Sequence, residues 1–121
     1  MDITTYVVIG ILVLWLFYRK FLVGKGIEQI TLEELKPLLG EKNRQFIDVR
    51  TPGEFRRNHI KGFKNIPLNE FSQRTNELSA DQEVFVICQS GIRSGKACQQ
   101  LKKKGFERIT NIKGGVGSYH G

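Results

Sequence analysis

Taken as a pattern of apolar and polar positions, the chain falls into two unlike parts. Residues 3–18, ITTYVVIGILVLWLFY, carry no charge, and Arg19-Lys20 separates them from Phe21-Leu22-Val23. Beyond Lys25-Gly26 the apolar signals become short and alternate in period. Residues 27–30 predict a short strand. Thr31-Leu32-Glu33-Glu34 matches a capping box, with Thr31 as N-cap, Glu34 at N3, and Ile30 and Leu35 placed as a hydrophobic staple. The helix it opens ends by Gly40 and is kept short by Pro37. Residues 45–49, QFIDV, predict a strand, and residues 53–58 one or two helical turns. Over residues 68–78, Leu68, Phe71, Thr75 and Leu78 share one helical face. Residues 84–87, VFVI, form an uninterrupted β-branched and aromatic run, as in a strand buried on both faces. Residues 94–104 predict a helix with Ala97, Cys98 and Leu101 on one side and Gly105 as its stop. A last short strand falls within 106–112, followed by a turn at Gly114-Gly115.

Strands that alternate with helices predict an α/β fold: a mostly parallel central sheet with helices on both faces, giving three layers. The predicted domain covers residues 27–121, after a linker at 24–26. Ligands of such sheets bind outside the carboxyl ends of the strands. Cys88 stands at the carboxyl end of the run that should be the central strand.

The N-terminal stretch is expected to be one transmembrane anchor helix, residues 1–23. Sixteen charge-free residues make about 24 Å of helix, and Arg19 and Lys20 can snorkel so that 21–23 extend it to about 31 Å, against roughly 30 Å of hydrocarbon. Trp15 and Tyr18 lie where an interfacial aromatic belt would sit. A cleaved signal peptide would place its positive residues before the apolar run, and here Asp2 precedes it while Arg19, Lys20 and Lys25 follow. A buried core helix would show a polar face. The positive-inside rule then orients the chain as a single-pass protein of the cell membrane with its domain in the cytoplasm, and with residues 3–23 in contact with lipid.

Length and charge narrow the function. A chain of 121 residues holds one ordinary domain. The formal net charge is +7; without Asp2, Arg19, Lys20 and Lys25 there remain 16 basic and 11 acidic residues, a net +5. The basic residues are scattered and not interleaved with aromatics, which argues against nucleic acid as a partner. Lys102-Lys103-Lys104 reads as a helix C-terminus, where cations offset the dipole. Two cysteines make no disulfide scaffold, and they form no metal-ligand cluster with His59 and His120, so no metal or other cofactor is expected. A cytoplasmic setting keeps both thiols reduced.

The stretch VFVICQSGIRS, residues 84–94, concentrates the chemistry. Between a strand and a helix, successive backbone N–H groups can converge into a nest for an anion, and the helix start adds partial positive charge. Gly91 permits a positive φ, Ser94 is placed as the N-cap, and Arg93 is permanently charged. Such a setting lowers a thiol pKa and makes Cys88 a candidate nucleophile. The alternative is a small buried core residue. Cys98 lacks this context and reads as core packing on the apolar side of its helix.

These pieces together resemble the rhodanese (thiosulfate sulfurtransferase-like) family, single-domain type. The likeness spans residues 27–121 and rests on FIDVRTPGEFRRNHIKGFKNIPL, VFVICQSGIRS, LKKKGF and IKGGVGSY. It implies that Cys88 takes a sulfane sulfur as a persulfide and hands it to cyanide or a thiol. It further implies that the amides of Gln89, Ser90, Gly91, Ile92 and Arg93 cradle that sulfur. Asp48 and Arg50 resemble the pair that supports the loop, or a structural ion pair; Glu54 and His59 match positions that fasten the adjoining loop. The partners implied are a small sulfur donor or a protein persulfide, and a thiol or cyanide acceptor. Gln89 and Ser90 stand where the thiosulfate enzymes carry basic residues, leaving Arg93 as the loop's only cation. Tyr119 stands where the family often has tryptophan. A cysteine phosphatase or arsenate reductase, and a non-catalytic binding module on the same fold, are the alternatives. The first would use Cys-x5-Arg, one residue longer than Cys88 to Arg93.

Overall fold

The computed structural model describes residues 2–24 and 26–118. Helix α1 (Ile3–Gly24) comes first, and its apolar side chains, Trp15 and Phe17 among them, are exposed. Among the described residues no helix is long and apolar enough to cross a membrane. The transmembrane helix expected over residues 1–23 therefore has no support in the structure. Lys25 of the expected linker and Tyr119 lie outside the described residues.

The domain then runs β1 (Ile27–Ile30), α2 (Leu32–Leu35), β2 (Arg44–Asp48), α3 (Pro52–Arg57), β3 (Lys64–Asn65), α4 (Leu68–Arg74), β4 (Glu83–Ile87), α5 (Ile92–Lys103) and β5 (Ile109–Ile112). Short 3-10 turns follow α2 (Lys36–Leu38), α4 (Thr75–Glu77) and β5 (Gly115–Ser118). The strands form one sheet in the order β1-β5-β4-β2-β3, and every neighbouring pair is parallel. β4 is the central strand, as its apolar run predicts.

Strand alternation divides the core in two. Val84, Val86 and Cys88 point to one face, where Phe71 of α4 and Ala97, Cys98 and Leu101 of α5 cover them. Phe85 and Ile87 point to the other, against Leu32 and Leu35 of α2, Ile60, Phe63 and Val116, with Phe55 of α3 at its edge. The three layers follow from this partition.

Local chemistry sets the element ends. At α2, the Glu34 amide donates to the Thr31 hydroxyl and the Glu34 carboxylate accepts from the Thr31 amide. Pro37 then tightens the backbone into the 3-10 turn. The helix expected over 68–78 ends at Arg74 and finishes in the following 3-10 turn. Two differences bear on function. β3 is only two residues long and follows a polar loop, too little for a periodic signal. α5 begins at Ile92 with Gly91 as its N-cap at φ 101°, so Ser94 is not the cap but lies within the first helical turn, fully buried.

Candidate active site

Parallel strands bring the ends of β2 and β4 side by side, with Asp48 paired to Ile87. The segments leaving those two ends build the site. After Ile87 the chain passes through Cys88, Gln89, Ser90 and Gly91 before entering α5. The positive φ of Gly91 turns the chain sharply enough to point its N–H back at the cysteine. That N–H donates to the Cys88 Sγ at 2.9 Å, and the Ser94 hydroxyl donates to the same atom at 3.3 Å. Burial pushes the thiol pKa up and is the largest single influence. The Ser94 hydroxyl and the backbone amides of Ser94, Gly91 and Ser90 act together against it, and the net result lies below the ordinary value. Of the amides expected at 89–93, that of Gly91 hydrogen-bonds the sulfur, and the Ser94 hydroxyl joins it. Cys88 has no exposed surface. Its sulfur lies beneath the loop, while Gln89, Ser90 and Ile92 face outward.

Arg93 does not stand free over the sulfur. Its Nη1 and Nη2 donate to the two carboxylate oxygens of Glu54 at 2.7 and 3.0 Å. Glu54 also accepts from the Thr51 amide at 3.0 Å and completes the capping box of α3. Arg93, ahead of the Thr51 amide, holds this carboxyl down at about 2. The loop's expected cation is therefore neutralised by a neighbour on α3.

Asp48 and Arg50 form a buried ion pair, each side chain 1% exposed. Arg50 donates through Nε and Nη2 to the Asp48 carboxylate, and Nη2 also reaches the Asn58 carbonyl at 2.7 Å. The Asn65 amide bridges the carbonyls of Asp48 and Arg50 at 2.9 Å. The pair thus fixes the segment after β2 and sits in a structural position. His59 is exposed; its Nδ1 lies 2.8 Å from the Phe55 carbonyl and its ring stacks on Phe55 at 3.9 Å. Both contacts fasten the end of α3.

The sequence reading missed a clamp. The sequence marks Gly114-Gly115 as a turn and as part of the family-like string IKGGVGSY but assigns it no contact, whereas the Val116 N–H donates to the Cys88 carbonyl at 2.8 Å and the Gly117 N–H to the Gln89 carbonyl at 2.9 Å. Gly115 has φ 55°, and a Cβ there would lie 2.1 Å from the Cys88 carbonyl oxygen. The double glycine was the available signal. Arg57, at the end of α3, was missed as well; it lines a cavity with Arg50, Glu54, Asn58 and Gln89. Cys98 is fully buried on the face of α5 that carries Ala97 and Leu101, and burial pushes its thiol up to about 12.

A parallel three-layer domain whose central strand ends in a thiol held by loop amides defines a class of cysteine-loop α/β proteins. The chain belongs to the rhodanese-like family: the family model, Rhodanese-like domain, matches residues 31–121. The uncharacterized protein YqhL of Bacillus subtilis is 45% identical over 91 residues, covering 75% of this chain and 72% of that protein. A sulfurtransferase of Allochromatium vinosum is 31% identical over 91 residues, covering 74% of this chain and 85% of that one. The crystal structure of a rhodanese-like domain protein from Staphylococcus aureus superposes with a TM-score of 0.70 at 31% identity, covering 77% of this chain and 91% of that chain.

Proposed function

We propose that the protein is a sulfurtransferase that carries sulfur on Cys88. The observation that supports this most directly is the convergence of the Gly91 amide and the Ser94 hydroxyl on one sulfur atom. The thiolate attacks the outer sulfur of a donor. For thiosulfate, a bond forms between the Cys88 Sγ and that sulfur, the donor's S–S bond breaks, and its electron pair departs on sulfite. Cys88 then holds a persulfide anion. A thiol or cyanide attacks the terminal sulfur, and the pair of the breaking S–S bond returns to the Cys88 Sγ. The amides that hold the thiolate are placed to hold the persulfide anion in turn. No metal or organic cofactor enters this sequence.

The phosphatase alternative needs a guanidinium that grips phosphate with both arms. In this chain those arms are spent on Glu54. A binding module that does no sulfur chemistry would leave Cys88 with an ordinary thiol, which the hydrogen bonds on its sulfur disfavour.

We read α1 as a membrane anchor with the domain on the cytoplasmic side. What supports this is the charge-free run 3–18, its exposed apolar side chains, and the basic residues that follow it. Carbonate extraction of membranes followed by protease protection checks it; release into the soluble fraction overturns it.

The test of the transfer reading is intact-mass analysis of the full chain after exposure to thiosulfate. One added sulfur atom on Cys88, lost on addition of cyanide with formation of thiocyanate, is the expected result. Turnover by Cys88→Ser equal to that of the parent overturns it.

A further inference from the structure

We propose that the groove between α5 and the edge strand β1 is a docking site for an acidic polypeptide segment of a partner protein. This goes beyond the sulfur-transfer reading and stands independently of it. The groove measures about 850 Å³, within the range of specific binding clefts. One wall is the exposed face of α5, where Ile92, Lys96, Gln99 and Lys103 follow one another at helical spacing. The other wall is Ile27 and Gln29 of β1.

Charge sets the first requirement. The lining holds two lysines and no carboxylate. Neither Lys96 nor Lys103 lies within salt-bridge distance of a carboxylate among the described residues. The complementary occupant is acidic. Ile92 sets the second requirement. It is 70% exposed, and among the described residues no other large apolar side chain outside α1 is exposed. An apolar side chain of the occupant gains burial over Ile92.

Hydrogen bonding sets the third requirement and selects a polypeptide. Gln100 in the groove wall has a buried Oε1, and Asn111 beneath the groove a buried Oδ1; neither has a partner among the described residues. The Asn111 Nδ2 donates to the Gln29 Oε1 at 3.0 Å and to the Gly91 carbonyl at 3.3 Å. A carbonyl can only accept, so the orientation of the Asn111 amide is fixed and its oxygen is the orphan. Two buried acceptors call for N–H donors, which a polypeptide backbone carries. Anionic lipid headgroups present phosphate and ester oxygens, which are again acceptors. A second copy docked through the same face would set lysine against lysine.

The groove ends at the loop of the candidate site. Ile92 follows Gly91, whose N–H donates to the Cys88 sulfur, and Asn111 bonds the carbonyl of that same glycine. A docked segment thus lies beside the loop and leaves the buried sulfur untouched.

The test is NMR of the isotope-labelled full chain in a neutral detergent micelle. The probe is a pool of peptides, each with a leucine flanked by glutamates and the other positions randomised. Shifts are expected to cluster at Gly95, Lys96, Gln99 and Gln100 and at the side-chain amide of Asn111. Lys96→Glu combined with Lys103→Glu should weaken binding by about tenfold, because two attractive contacts become repulsive. Lys42→Glu combined with Lys61→Glu makes the same change of net charge at exposed lysines outside the groove and should leave binding unchanged. Gln100→Leu, which lacks the orphan acceptor, should bind the pool more weakly. Equal weakening by the two lysine pairs reduces the site to general attraction and overturns it. Absence of shifts in the groove, or equal binding by Gln100→Leu, does the same. Concentration-dependent shifts there without peptide would name a second copy instead. Matching shifts on adding phosphatidylglycerol to the micelle would name lipid, and either result overturns the proposal.

Discussion

Arg93 grips Glu54 through two hydrogen bonds of 2.7 and 3.0 Å, tying the first turn of α5 to α3. One carboxylate thereby caps one helix and anchors another on the far side of the site. Its folded-state pKa of about 2 lies below the ordinary 4.5. The ionised tie therefore stabilises the fold above about pH 4.5, and that contribution is lost as the pH falls through about 2. Urea midpoints of the wild type should drop more steeply over this window than those of Glu54→Gln, the two curves meeting near its acid end. Parallel curves would show that the tie contributes nothing.

Ser94 bears on reactivity more than on stability. Ser94→Ala removes a donor from the Cys88 sulfur, so the thiol pKa rises toward its ordinary value. The inflection of iodoacetamide alkylation against pH should move to higher pH. Sulfur transfer at neutral pH should fall by roughly tenfold, the equivalent of ~1.4 kcal/mol for one hydrogen bond to a charged group. An unmoved inflection would remove Ser94 from the site.

Gly115 has no room for a side chain, since a Cβ would meet the Cys88 carbonyl oxygen at 2.1 Å and its φ of 55° disfavours one. Gly115→Ala is expected to displace the loop and abolish detectable persulfide formation. Gly53→Ala, whose Cβ would meet nothing within 4 Å, should match the wild type. Persulfide yields that do not differ between the two would refute the clamp.

Much of this was legible from local signals. The VFVI run announced the central strand because a strand covered on both faces needs apolar residues at every position. Thr31 and Glu34 announced α2 because the capping box is a contact within four residues. What stayed hidden depends on pairs distant in sequence. Arg93 and Glu54 are 39 positions apart, and nothing local to either says that one neutralises the other. Ser94 carried an N-cap signal, but Gly91 at positive φ started the helix earlier and turned that hydroxyl inward to the sulfur. The clamp from Val116 and Gly117 uses backbone donors, which leave no mark on side-chain pattern.

Cys98 should behave as packing. With its thiol near 12, it stays protonated at neutral pH and resists alkylation. Cys98→Ala is expected to retain sulfur transfer within about twofold while costing about 1–2 kcal/mol of unfolding free energy, as for removal of a small buried group. Iodoacetamide should label the native wild type once, at Cys88. Labelling of Cys98 in the native protein would contradict this assignment.

The two-residue length of β3 has a consequence for how copies of the protein behave when crowded. A sheet polymerises through its rims, where a foreign strand can zip onto unpaired backbone groups. One rim here offers a ladder two residues long, headed by Lys64. The other, β1, shows Glu28 and Gln29 outward. Each rim is short and carries a charged side chain, Lys64 on one and Glu28 on the other, a feature by which sheet edges resist pairing with a foreign strand.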